Sequence, residues 1–277
     1  MTTLQVRIGG TGGPAVVLLH GIPGSSESWS KVLSRIDQRV QTIVPDLLGF
    51  GGSPDAPADG HAAEQAAAVA LTLKRHRLDN VHLVGFDFGG PVAILLYRQN
   101  PAIVRSITVA ATNLFTDTPI PAPLLTARVP LLGEWTFRAM FGAAGLSAMW
   151  AMAVANKNEL GRDEFLRAVG GGRERAAARG IFLYSLRNLK RAYGEIEQTL
   201  PEIAVPASVV WGDRDPFFPL AVGTRTANAI AGSRLHVLTR CGHFIPGEKP
   251  EEFAAIIEGT VARGETYSSS SKMAKSC

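Results

Sequence analysis

The chain has 277 residues, 46% of them hydrophobic and 19% charged, with a net charge of +4 and a pI near 9.3. This is globular composition and excludes a disordered chain. No apolar run reaches the roughly 18 residues of a membrane span. The two cysteines, Cys241 and Cys277, make no disulfide framework. The first residues show neither the basic nor the apolar region of a signal peptide, so a cytoplasmic protein is expected. The positive excess gathers between Arg162 and Arg191 without the aromatic or motif support of a nucleic-acid surface. A solvated helix face is the simpler reading, and neither nucleic acid nor membrane is expected as a partner.

Residues 4–8 alternate like a half-exposed strand. Residues 15–19 (AVVLL), 42–44, 81–84 and 105–110 are apolar, β-branched runs that end near Gly, Pro or His. Such runs mark parallel strands buried on both faces. Helical patterns separate them at 27–36, 62–76 and 90–98, which predicts a mostly parallel sheet with helices on both faces. Residues 113–200 hold no strand pattern. They open on Thr-Asp-Thr-Pro-Ile-Pro-Ala-Pro and continue as helices over 124–132, 134–141, 146–156, 163–169 and 174–189. Strands return at 207–211 and 235–238, each followed by a proline-opened helix, at 219–230 and 250–263. The expected organisation is an α/β core, 1–112 and 201–263, interrupted by a helical cap at 113–200. The Ser-rich residues 264–277 read as a disordered tail.

Short motifs sit where these strands end. Val84-Gly85-Phe86-Asp87-Phe88-Gly89-Gly90 joins a strand directly to a helix. Gly85 and Gly89 suit a strained turn with no room for a Cβ on either side of Asp87. An ordinary strand-to-helix turn with Asp87 as N-cap is the alternative. Leu19-His20-Gly21-Ile22-Pro23-Gly24 follows AVVLL, and Asp46-Leu47-Leu48-Gly49-Phe50-Gly51-Gly52-Ser53 follows the next strand as a structural loop. Trp211-Gly212-Asp213-Arg214-Asp215-Pro216-Phe217-Phe218-Pro219 and Cys241-Gly242-His243-Phe244 follow the last two strands. His61, His76, His82 and His236 lack motif context and read as surface or packed residues. No dinucleotide or P-loop glycine spacing and no metal cluster is present, so neither cofactor nor metal is expected.

In this order the motifs resemble the α/β-hydrolase fold enzymes that carry Asp where most members have Ser, above all the epoxide hydrolases and next the haloalkane dehalogenases. The resemblance implies that Asp87 is the nucleophile, His243 the base and Asp215 the acid that orients it, in the chain order of that fold. Asp213 is the off-register alternative to Asp215. It further implies an oxyanion hole from the N–H groups of Ile22 and Phe88, and a cis bond at Ile22–Pro23.

A carboxylate at the elbow selects the chemistry. With a reference pKa of about 3.9 it needs no base in order to attack. On a carboxylic ester it would give a labile anhydride, whereas at a saturated carbon it gives a stable alkyl ester. Epoxides and alkyl halides fit that demand. An epoxide oxygen needs an acid, which the resemblance places on a cap tyrosine. Tyr184, in Tyr-Ser-Leu-Arg-Asn, is the expected donor, with Tyr193, Trp135 and Phe244 lining the pocket. Trp135 stands where the family carries a second Tyr. A halide instead needs N–H donors beside the nucleophile, and Phe88 offers none from its side chain. Epoxide opening to a vicinal diol, on a small apolar substrate, is the expected reaction. Dehalogenation follows, then a related biosynthetic hydrolase or a ligand binder without turnover.

Overall fold

The strands assemble into one sheet in the computed structural model, which describes residues 3–56, 61–120, 122–129, 131–169 and 171–275. They are β1 (Val6–Gly9), β2 (Ala15–Leu19), β3 (Gln41–Pro45), β4 (Val81–Phe86), β5 (Val104–Ala110), β6 (Ala207–Gly212) and β7 (Arg234–Leu238). Their order is β1-β3-β2-β4-β5-β6-β7, all parallel except β1 against β3. This is the α/β-hydrolase architecture. β2 and β4 are buried at every position, which is why their sequences run apolar without alternation.

Alternate side chains of β2 feed two different cores. Val17 and Leu19 pack with Val69 of α2 (Ala62–Arg75) and Val92 of α3 (Gly89–Gln99). Val16 and Leu18 pack with Trp29, Phe253 and Ile257 on the other face. Trp29 lies between a single helical turn, Ser26–Trp29, and the short α1 (Ser30–Leu33). Phe253 and Ile257 belong to α12 (Pro250–Lys275), which follows α10 (Leu220–Ala229) and α11 (Ile245–Glu248). Each such side chain taken fully out of water contributes roughly 1.5–3 kcal/mol.

Between β5 and β6 lies the helical insertion: α4 (Ala122–Leu125), the turn Thr126–Arg128, α5 (Leu132–Phe141), α6 (Ala143–Ala153), α7 (Arg162–Ala168), α8 (Gly172–Arg187) and α9 (Leu189–Thr199). Phe137, Phe141 and Phe182 form its own aromatic centre, with ring centroids 4.4–6.1 Å apart. The predicted helix over 174–189 stops at Asn188, whose backbone and side-chain N–H groups both donate to the Tyr184 carbonyl. No Gly or Pro marks that break, and α9 beyond it carries no separate sequence signal.

The tail departs from expectation, because α12 runs on through it instead of dissolving after residue 263. Thr266, Ser269 and Ser270 donate their hydroxyls to the carbonyls four residues earlier, so the polar composition is satisfied within the helix. Glu265 also meets the buried His82 imidazole at 3.0 Å, and the other His82 nitrogen lies 2.8 Å from Ser106 Oγ.

The sheet sets up the site through its register. Leu19 pairs with Gly85, Phe86 with Ala110, and Gly212 with Leu238. The loops after β2, β4, β6 and β7 therefore open along one edge, at the carboxyl ends of the parallel strands. There β2 and β4 lead to opposite sides of the sheet, the place where α/β folds bind ligands. Among the described residues no helix is long and apolar enough to cross a membrane.

Candidate active site

Asp87 sits between β4 and α3 with φ +50, in the left-handed region that a non-glycine residue rarely occupies. The surroundings fix this conformation. Its N–H donates to the Ala110 carbonyl at 3.0 Å, and its own carbonyl accepts from Gly90 N at 3.0 Å and Thr112 Oγ1 at 2.6 Å. A Cβ on Gly89 would lie 2.2 Å from the Leu19 carbonyl oxygen, so the turn closes only with glycine there. The side chain does not cap α3. It turns the other way, and Oδ1 accepts the Ile22 N–H at 2.7 Å. The N-cap alternative for Asp87 is thereby excluded.

The β2 loop is built to approach that carboxylate. A Cβ on Gly21 would stand 2.6 Å from Asp87 Oδ1. The Ile22–Pro23 bond is cis. His20, fully buried, ties the loop to its neighbour. Its Nε2 accepts the Leu47 N–H at 3.0 Å and its Nδ1 donates to the Gly21 carbonyl at 2.8 Å, which fixes the neutral Nδ1–H form. Burial, first of all, lowers the His20 pKa in agreement with that tautomer. The Phe88 N–H, at the start of α3, has no protein acceptor among the described residues.

His243 and Asp215 arrive from the loops after β7 and β6. His243 Nδ1 lies 2.9 Å from Asp215 Oδ2, and Nε2 lies 3.6 Å from Asp87 Oδ2. Asp215 Oδ1 accepts the N–H groups of Phe217 and Phe218 at 2.8 and 3.0 Å, which aims Oδ2 at the imidazole. Asp213 instead accepts Cys241 N–H at 3.1 Å and holds the loop backbone. Asp87 alone of the three is open, with its side chain 16% exposed against 5% and 0% for His243 and Asp215. Burial works against the His243 imidazolium, but the charge and hydrogen bond of Asp215, with Asp87 adding to them, raise its pKa to about 10. The raised pKa favours the imidazolium form beside the two carboxylates.

Glu248 has a role that its sequence context did not reveal. It is fully buried and accepts four backbone N–H groups, from Ala155, Asn156, Gly242 and Phe244, at 2.7–3.1 Å. Gly242 and Phe244 flank His243, while Ala155 and Asn156 belong to the insertion. The His243 N–H itself donates to Ala153 O at 2.9 Å. One carboxylate thus clamps the histidine loop to the segment that follows α6. The available signal was a charged residue five positions after His243 in an otherwise apolar stretch.

The insertion residues divide. Tyr193 is partly buried and packed against the core, but it is not among the residues that line the cleft at Asp87. Burial raises its phenol pKa most, the Asp87 charge raises it further, and hydrogen bonds with Ser185 and Asn113 oppose both. Tyr184 instead stacks on His61, with ring centroids 5.4 Å apart and planes 17° apart. His61 also caps α2 by accepting the Ala63 N–H at 3.3 Å. Trp135 is not a pocket residue: it is 69% exposed, with the Arg138 guanidinium 5.9 Å from its ring centroid. The pattern of α5 gives no sign of this, because its inward face is taken by Phe137 and Phe141.

Asp87 and His243 line a cleft of about 270 Å³ whose apolar wall includes Ile22, Phe86, Phe165 and Phe244. Phe244 packs edge-on against both Phe165 and His243, at 4.7 and 5.1 Å. Lys31 at its rim reaches Glu164 of α7 at 3.0 Å, joining core and insertion. Among the described residues no group of three His, Cys, Asp or Glu side chains is placed to hold a metal.

Comparison with known proteins finds relatives of the same fold. A hydrolase of 2-hydroxy-6-oxononadienedioate and 2-hydroxy-6-oxononatrienedioate from Klebsiella pneumoniae is 26% identical over 273 residues, covering 94% of this chain and 92% of the relative. An uncharacterized protein of Mycobacterium tuberculosis is 30% identical over 263 residues, covering 91% of this chain and 76% of the relative. A haloalkane dehalogenase loop variant from Bradyrhizobium elkanii superposes with a TM-score of 0.78 at 20% identity, covering 96% and 94% of the two chains. An epoxide hydrolase superposes with a TM-score of 0.73 at 18% identity, covering 93% and 94%. These two structures share the fold. The profile of the Alpha/beta hydrolase family matches residues 16–256, and the chain belongs to that family.

Proposed function

We propose that this hydrolase opens an epoxide to a vicinal diol through an alkyl ester on Asp87. The observation that carries the reading is the carboxylate at the elbow, with Oδ1 on the Ile22 amide and Oδ2 facing His243 and the open cleft. In the first step Asp87 oxygen bonds to a ring carbon as the carbon–oxygen bond of the epoxide breaks. The departing oxygen takes the Tyr193 proton, and the His243 imidazolium restores it. The site then holds a neutral ester and a neutral imidazole.

In the second step His243 Nε2 takes a proton from water, whose oxygen bonds to the Asp87 carboxyl carbon. The N–H groups of Ile22 and Phe88 stabilise the tetrahedral oxyanion. Collapse breaks the ester bond, the alkoxide takes the proton of the new carboxyl group, and the diol leaves. Asp87 and the His243 imidazolium return as they began. Alkylation removes one of the charges that raise the His243 pKa, so the ester itself converts a resting acid into a base. Asp215 remains to hold the ring.

Tyr193 replaces Tyr184 as the proposed donor, because the Tyr184 ring is stacked on His61 whereas Tyr193 packs against the core. The halide alternative loses support, since Trp135 points to solvent and Phe88 donates nothing from its side chain. At a carbonyl carbon the Asp87 carboxylate would yield a labile anhydride, which disfavours acyl substrates.

Turnover of styrene oxide, scored beside 1-bromobutane with halide detection, tests the assignment. Diol from the epoxide without halide from the bromide is the expected result. Halide release with no diol would replace this reading by dehalogenation.

A further inference from the structure

Where α5 begins, the insertion presents an apolar corner to solvent. Leu131 adopts φ +67 and ψ −50 and is 77% exposed, so a strained backbone holds an aliphatic side chain outward. Leu125, Val129, Leu132 and Trp135 are large, apolar and exposed beside it. They form one surface. Thr126 and Thr136 meet at 2.6 Å through their hydroxyls, and the N–H groups of Gly133 and Trp135 donate to the carbonyls of Val129 and Leu131. Solvent-exposed apolar groups gathered this way mark an interaction site more often than a bare surface.

The charges around the corner say what covers it. Arg128 and Arg138 are exposed at its edges, and Arg138 lies over the Trp135 ring. Arg187 reaches the same turn, with Nε donating to the Ala127 carbonyl at 3.3 Å. The one acid of α5, Glu134, is engaged by Arg179. Its carboxyl is held below the usual range by Arg179 first, then by Arg187 and Arg138, which places all three guanidiniums around it. A second copy of the chain would bring arginine against arginine. An anionic lipid surface meets both features, taking Leu and Trp into the acyl boundary and guanidiniums onto phosphates.

We propose that this corner docks the protein onto an anionic lipid bilayer. The mode is that of an amphipathic surface lying in the interface, which requires no spanning segment. Among the described residues no helix is long and apolar enough to cross a membrane, and surface docking needs none; the proposal departs from the expectation of no membrane partner. The proposal stands independently of the reaction at Asp87.

Sedimentation of the full chain with vesicles tests it, using phosphatidylcholine alone and phosphatidylcholine mixed with phosphatidylglycerol. The expected result is binding to the mixed vesicles, weakened by salt, and on the order of tenfold weaker in Arg128→Gln/Arg138→Gln. Leu131→Asp should weaken it by a similar factor while leaving the melting temperature unchanged. Trp135→Ser keeps the test open where Leu131→Asp disturbs the start of α5. Wild-type protein that stays in the supernatant with anionic vesicles at low salt overturns the proposal. So does equal binding by the wild type and Trp135→Ser. A dimer in light scattering that Leu131→Asp dissociates would assign the corner to a second copy instead.

Discussion

His243 Nε2 stands 3.6 Å from Asp87 Oδ2, longer than an ordinary hydrogen bond, while its Nδ1 is bound to Asp215 at 2.9 Å. The ring is therefore anchored to the acid and only poised over the elbow carboxylate. That asymmetry suits a carboxylate that attacks first and a histidine that acts second.

The first prediction separates the two steps. His243→Gln should form the alkyl enzyme and fail to release it, so intact mass shows substrate added to the protein. Asp87→Ala should show no adduct. An unmodified His243→Gln protein that still binds the epoxide would remove His243 from the release step.

The second prediction concerns the proton donor. Tyr193→Phe keeps the ring and deletes the hydroxyl that lies in the Asp87 field. Stopped-flow measurement of enzyme alkylation should slow by about 10²–10⁴-fold, the usual contribution of a general acid. Tyr184→Phe should leave alkylation within a few-fold of the wild type, because its ring is engaged with His61. The reverse outcome would return the role to Tyr184.

A third prediction concerns Glu248. In Glu248→Gln, an amide group replaces one carboxylate oxygen and faces N–H donors. The amide turns so that its NH2 stands at the Oε1 position, where it meets the fewest donors, and only the Phe244 N–H loses its acceptor. An orphaned buried donor costs about 1–3 kcal/mol, so urea unfolding should show a loss of that order. The ester hydrolysis step should also slow more than alkylation, since the loop that carries His243 is loosened. Unchanged stability would mean that the clamp contributes nothing.

The fourth prediction is a stability optimum set by histidines. His20, His82 and His236 have folded pKa values lowered, by burial first in each case. Their contributions are complete above the unfolded value of about 6.5 and are lost as pH falls below it. His243, raised to about 10, contributes fully below about 6.5 and loses its contribution as pH rises through 10. Unfolding free energy should therefore decline on both sides of that value, and His243→Gln should flatten only the alkaline limb. An unaltered alkaline limb in that variant would contradict the raised pKa.

The legible part of the molecule was its periodic part. Buried parallel strands declare themselves as apolar runs, so β2, β4 and β6 and the loops at their ends were readable with their glycines. The glycines at 21 and 89 encode close approaches that only a missing Cβ permits, and these locate the elbow. What escaped depends on side chains meeting across the fold. The preference for Tyr193 over Tyr184 follows from the break at Asn188, which starts α9 without a Gly or Pro to announce it. Trp135 read as a pocket residue because composition gives no orientation, and in α5 Phe137 and Phe141 took the inward face. The tail read as disordered because serine composition does not show that hydroxyls bond back along a helix already begun at Pro250.

The central claim is that Asp87 becomes covalently bound to substrate, and one isotope measurement tests it most directly. A single turnover with excess enzyme in ¹⁸O-labelled water should place the label in the Asp87 carboxylate, found by mass spectrometry of the peptide containing it. The first diol released should then carry none. Label in that first diol, with Asp87 unlabelled, would mean that water attacks the epoxide directly and would contradict the covalent route.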